Sequence, residues 1–350
     1  MKTRYGFSLV EIMIGLTLGM ILSIAVIGVY LAQKNIYRTN TSQAVIQDTE
    51  SAIAALVIPT IRMAGFSGCS NVVNALSNLN AGGPPPLGTL STTPSFIMGY
   101  GMNPGTTVTI TQNNAANTAN AANWTPNLDA SLVGNVEGTS DVLVVLGGSP
   151  GSVPIGVTTF TPGSASFVLQ NTTGVAASQF AALSDCSKAS IFQITSVAGT
   201  TVAHASGGGA LSNATDALAV NYPLGAQFIN MSQTAFFVAY DAGGQSSLVR
   251  ATLKPDGTWA TQALAPGVDT MHVLYGIGSN GIPQQYVQAS AVTDWSEVYA
   301  IKLGFLLEGQ LGSATLPPTK YTVLDSTINV PADNRLRHVY QITINLRNSS

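Results

Sequence analysis

The chain opens Met1-Lys2-Thr3-Arg4-Tyr5-Gly6-Phe7-Ser8-Leu9-Val10-Glu11, and residues 12–32 that follow carry no charge and are almost wholly apolar. As helix, residues 12–32 would measure roughly 31 Å, which matches the ~30 Å hydrocarbon core of a bilayer. A secretory signal places a small-residue cleavage site after its apolar region. Here the glycine, Gly6, stands before that region, so a cut beside it leaves the apolar helix attached to the mature protein. Glu11 is the anomaly, because an acidic side chain inside an apolar span costs about 2.5 to 3.5 kcal/mol on insertion scales. Something must compensate it.

The run Gly6-Phe7-Ser8-Leu9-Val10-Glu11 resembles the leader motif of type IV prepilins. The resemblance implies that a prepilin peptidase of the inner membrane cuts between Gly6 and Phe7 and methylates the new amine of Phe7. It also implies that Glu11 pairs with the freed amine of a subunit already in the filament; the competing reading is a carboxylate that snorkels to the headgroups. The chain then divides into a cleaved leader (1–6), a pilin helix (7–64) with its membrane span at about 12–32 and an amphipathic stem at 33–64, and a β-rich body (65–350). Gly15 and Gly19 fit a small-xxx-small packing face, or reflect only the general frequency of glycine in membrane helices.

Charged residues make up 8% of the 350 residues, with a formal net charge of −3, and Lys2 and Arg4 leave with the leader. No basic stripe is visible, so nucleic acid is not an expected partner. The body is long enough for one large domain or two small ones. With the body outside the cytoplasm, the two cysteines, Cys69 and Cys186, are expected to pair, the alternative being two buried thiols. The bridge would contribute about 4.7 kcal/mol in the chain-entropy model, less any strain.

Past the span, Ile46, Ile53, Val57, Ile61 and Ala64 recur at helical spacing, so one face of the stem should pack on the body. Pro59 predicts a kink or an early end, and Gly65 a stop. Residues 69–139, with Gly82-Gly83-Pro84-Pro85-Pro86, read as long loops with short strands near Phe96 and Val108, and the Asn/Ala tract 113–123 within them as a flexible linker. Strand signals then follow at 141–146, 166–170 and 190–197, and 234–241, 246–253 and 258–264 form a meander joined by Gly243-Gly244 and Pro255-Asp256-Gly257. Asn280-Gly281 marks a hairpin between 271–276 and 282–287, and Asp294 caps a short helical turn. Tyr299, Ile301, Leu303, Phe305 and Leu307 share one strand face, as do Leu336, Tyr340, Ile342 and Ile344.

Several segments resemble the PilW group of minor pilins. They are Ile61-Arg62-Met63-Ala64-Gly65-Phe66 with Gly68-Cys69, Ser140-Asp141-Val142-Leu143-Val144-Val145, Asp185-Cys186, the Phe236-Phe237-Val238-Ala239 and Ser247-Leu248-Val249-Arg250 pair, Gly267-Val268 through Leu274-Tyr275-Gly276, Trp295 with Val298, and Leu346-Arg347-Asn348. The resemblance implies a low-abundance subunit that helps prime pilus assembly near the tip, in contact with other minor pilins and the major pilin through the N-terminal helix. The alternatives are a minor pseudopilin of a type II secretion machine and a tip adhesin or receptor-binding subunit. The protein is expected in the inner membrane, N-terminus cytoplasmic and body periplasmic, and after assembly in the pilus at the cell surface.

Two motifs look catalytic and are read as turns. Gly147-Gly148-Ser149-Pro150-Gly151 matches the hydrolase nucleophile pattern, but Pro150 has no N–H to offer an oxyanion. Gly276-Ile277-Gly278-Ser279-Asn280-Gly281 matches a dinucleotide fingerprint, yet a returning strand follows it. His204, His272 and His338 lack metal-ligand spacing, and Asp241 and Asp256 fit turns better than calcium sites. The expectation is an α+β, pilin-like fold: a long N-terminal helix on an antiparallel sheet with loop-rich insertions, and no enzyme activity, cofactor or metal.

Overall fold

In a computed structural model of the protein, residues 8–68, 74–80, 84–87, 95–102, 107–110, 120–209, 211–241 and 244–346 are described. Gly6, Phe7, Cys69, Gly82, Gly83, most of the 113–123 tract, Gly243, Arg347 and Asn348 lie outside them.

One helix, α1, runs unbroken over Leu9–Arg62, about 80 Å at the usual rise. Its buried residues are Ser42, Ile46, Thr49, Ile53, Val57 and Ile61, a single stripe at spacings of three and four. The apolar members are those expected. Ser42 and Thr49 were not, because polar residues give no signal in a hydrophobic pattern; each is there to bond the body. The Ser42 hydroxyl accepts from the Gln310 amide at 3.1 Å, and the Thr49 hydroxyl donates to the Pro266 carbonyl at 3.4 Å. Pro59 does not end the helix, which continues through Arg62. Proline costs one backbone bond but its φ suits a helix, and Ile61, fully buried one half-turn on, holds the last turn down. The stop comes where Gly65 takes a φ of +72°.

The helix end is stitched into the body. Gly65 N–H donates to the Leu146 carbonyl at 3.0 Å, and Ala64 bridges Gly147. A Cβ at Gly147 would lie 2.1 Å from the Met63 carbonyl oxygen, so the glycine of the apparent catalytic motif is there to admit the stem.

Among the described residues the strands form sheets of thirteen, four and three strands. The hub of the largest is Gln227–Tyr240, whose second half begins the expected meander, pairing antiparallel with Ser246–Leu253, which pairs in turn with Trp259–Pro266. It starts earlier than alternation indicated because its first half pairs with Phe180–Ser184 and its residues are buried on both faces. Val142–Gly148 is buried at every position between Ile97–Met102 and the hub. The expected strand at 190–197 is divided into Lys188–Gln193 and Ser196–Ala198. Among the described strands two pairings are parallel, Asn74–Ser77 with Lys188–Gln193 and Thr107–Thr109 with Ser326–Asn329. Both join segments distant in sequence, which local patterning does not report.

The four-stranded sheet is antiparallel, in the order Ile282–Val287, Val268–Ser279, Val298–Glu308, Arg337–Asn345. Its hairpin turns at Asn280 and Gly281, φ +53° and +76°, as a type I′ turn demands. Ile301, Leu303, Phe305 and Leu307 share a core with Ile46, Ile53, Val57 and Ile61. This is the α+β, pilin-like architecture expected: a long apolar N-terminal helix on extensive antiparallel sheets.

Candidate functional site

The helix has two environments. From Ser42 onward a stripe of it is buried, whereas residues 8–38 are exposed throughout. That exposed part includes an 18-residue window of mean hydropathy 2.5, none of it buried, and by length and composition it can cross a membrane. Leu9, Leu16, Met20 and Val26 are each more than two-thirds exposed. A water-soluble monomer rarely leaves so large an apolar surface bare, and the surface is consistent with membrane anchoring. The two polar side chains in its middle are silenced internally: the hydroxyls of Thr17 and Ser23 donate to the carbonyls of Ile14 and Gly19 at 2.9 and 2.8 Å. No atom stands within 4 Å of a Cβ built on Gly15, Gly19 or Gly28, so all three offer backbone to a close neighbour.

Glu11 lies in the first turn. Its Oε2 accepts from the Ser8 N–H at 3.2 Å, the reciprocal half of a capping box, and its negative charge sits at the favourable end of the helix dipole. The cap occupies one carboxylate oxygen of a group with about four acceptor positions. Gly6 and Phe7 lie outside the described residues. Cys186 occupies a turn at φ +69° between Phe180–Ser184 and Lys188–Gln193; Cys69 lies outside the described residues.

The two motif-like stretches sit in turns. Val142–Gly148 ends directly before Ser149, whose N–H donates to the Asn230 carbonyl at 2.7 Å, and the chain re-enters a strand at Ile155–Phe160. Gly276 through Ser279 belong to a strand and Asn280-Gly281 to its hairpin. His204 is buried between Phe167 and Phe192, with ring centroids 5.6 and 5.2 Å away, and burial holds it below the usual imidazole range. His272 lies 3.7 Å from Asp141, and His338 lies 3.4 Å from Glu50 of the stem. Asp256 accepts from the Thr258 amide and hydroxyl, and Asp241 from the Gln245 amide, as turn formers do. Among the described residues no group of three or more His, Cys, Asp or Glu side chains could hold a metal.

Sequence reading missed a clasp on the stem. Segment 309–336, between the last two strands of the four-stranded sheet, reaches α1 where Thr39 donates to the Ser313 carbonyl at 2.7 Å. A buried ion cluster anchors its base. Arg337 binds Asp269 through Nε at 2.6 Å and Asp333 through both terminal nitrogens at 2.7 Å; Arg335 adds Glu308 at 3.2 Å. Burial, then the neighbouring Asp269, pushes the Glu308 carboxyl up to about 8. Burial also raises Asp269 despite Arg337, while at Asp333 the bonds from Arg337 and Arg335 outweigh burial and hold it low. These residues are scattered over positions 269–337 of the sequence, and no local spacing connects them.

Comparison with known families gives two matches. Residues 1–27 match the prokaryotic N-terminal methylation motif, and residues 235–348 match Type IV Pilus-assembly protein W. The second covers the meander, the four-stranded sheet and the clasp. No curated protein and no solved structure matches the chain.

Proposed function

From the premise that this chain is a PilW-type type IV pilin with a role in pilus assembly, we propose that it is a minor pilin that primes filament growth and stays near the tip. The observation that carries this is the division of α1: a bare apolar half for the membrane and the filament, and a clasped half bearing residues 65–350. A body of that size carried on one half of the helix would hinder a subunit stacked above it, and a terminal position removes the conflict. Its partners are other minor pilins and the major pilin along the exposed half, and the role is structural rather than catalytic. Deletion should lower pili per cell several-fold with major pilin abundance unchanged, and the tagged full-length protein should retrieve other minor pilins from detergent extracts. Unchanged pilus number, or retrieval of type II secretion components instead, defeats the proposal.

The membrane topology belongs to the same reading: N-terminus cytoplasmic, body periplasmic, then exposed on the pilus. With Gly6 as the cleavage residue and Phe7 the methylated one, Gly6→Val should leave the chain inserted but uncut, longer by the six-residue leader. N-terminal sequencing of that variant beginning at Phe7 would count against the assignment.

A Cys69–Cys186 bridge is proposed with it. It is supported by the exported compartment, and no cysteine among the described residues is free. Nonreducing peptide mapping should recover the two peptides linked, and two alkylatable thiols in the native exported protein would refute the bridge.

A further inference from the structure

A cleft of about 480 Å³ opens beside the far end of the stem, between the turn at 149–154 and the loop at 171–179. Its floor is the first part of the hub strand, at Phe228 and Asn230. None of its lining residues carries a charge. Three carboxamides meet there, each fixed at one end by the backbone. Asn230 Nδ2 donates to the Gly174 carbonyl at 2.8 Å, and Asn230 Oδ1 is buried with no partner. Gln179 Oε1 accepts from the Ala176 amide at 3.0 Å, which turns Nε2 outward; Asn171 Oδ1 accepts from the Thr173 amide at 3.2 Å and turns Nδ2 outward. Val153, Pro154 and Ile155 supply an apolar wall.

We propose that this cleft binds a neutral saccharide. The size and the mixture of an apolar wall with a few fixed polar groups suit a small-molecule site. The absence of charge from the lining disfavours phosphate, carboxylate and cationic ligands, whose desolvation nothing there would offset. A sugar hydroxyl is at once donor and acceptor, so vicinal hydroxyls accept from the outward amide nitrogens of Gln179 and Asn171 together, while the C–H face of the ring lies on the apolar wall. The cleft begins one residue beyond Gly148, which is in contact distance of Met63 and Phe66 at the top of α1. It therefore lies at the end of the molecule away from the membrane span, where an extracellular glycan could reach it. The proposal is independent of the priming role.

The test is saturation-transfer NMR on the full-length protein in a zwitterionic detergent free of sugar headgroups. The probes are glucose, galactose, mannose, N-acetylglucosamine and N-acetylgalactosamine with their neutral disaccharides, plus tetra-alanine acetylated at its N-terminus and amidated at its C-terminus as an uncharged peptide. At least one saccharide should bind. Val153→Arg, at an exposed lining residue, should weaken it at least tenfold with the melting temperature unchanged, and Gln179→Met should weaken it several-fold. No binding by any saccharide, binding of tetra-alanine alone, or undiminished binding by Val153→Arg overturns the proposal.

Discussion

Glu11→Val should separate membrane insertion from filament entry: the variant is inserted and processed like the wild type, yet its amount in sheared pili falls roughly ten- to a hundredfold. Removing the carboxylate lowers the cost of burying the span, so insertion gains. The proposed contact is with the N-terminal amine of a neighbouring subunit. Charge-assisted hydrogen bonds contribute about 1.5–3 kcal/mol, and 1.4 kcal/mol is a factor of ten in occupancy. The Ser8 N–H already occupies Oε2, so Glu11 has a second, purely local role as a cap. Glu11→Gln distinguishes the two, because the amide oxygen still accepts from Ser8 but carries no charge. If pairing with an amine matters, Gln fails nearly as badly as Val; if capping alone matters, Gln assembles normally. Immunoblots of sheared pili against membranes, with pili counted per cell, give the answer, and wild-type incorporation of both variants would leave Glu11 a snorkelling residue.

The sequence revealed the parts of this protein that are local and periodic. The stem stripe of Ile46, Ile53, Val57 and Ile61, the Asn280-Gly281 turn, the meander and the faces of the last two strands were all readable because each is set by spacing within one element. What escaped was assembled across elements. The start of the hub strand has no alternation because Phe228 and Ile229 are both fully buried. The parallel pairs need partners more than a hundred residues apart. Asn171, Gln179 and Asn230 look like ordinary polar residues until the fold brings their free ends to one cleft. Ser42 and Thr49 interrupt the stripe and would be scored against it, although each makes a bond that holds the stem to the body.

Arg337→Ala should be the most destabilising single change in the body, by about 3–5 kcal/mol. Breaking a buried ion pair from one side strands the other charges, and Arg337 is the common partner of Asp269 and Asp333, its own side chain and that of Asp333 each 1% exposed. Native stabilities of about 5–15 kcal/mol make that a large fraction. The damage should spread to the stem, because Asp333 and Arg335 hold the base of the clasp whose Ser313 and Gln310 meet Thr39 and Ser42. Arg337→Lys, which keeps the charge but loses the two-pronged contact with Asp333, should fall between. Glu308 adds a pH signature. Its folded value of about 8 lies above the ordinary carboxylate value, so the folded state holds the proton more tightly than the unfolded chain, and this residue's contribution to stability declines as pH rises from about 4.5 through 8. Glu308→Gln, permanently neutral, should lose that decline. Urea titrations of the full-length protein in detergent at pH 5, 6.5 and 8 measure all of it. Wild-type stability in Arg337→Ala would mean that the cluster is hydrated and that the clasp is held by Ser313 and Gln310 alone.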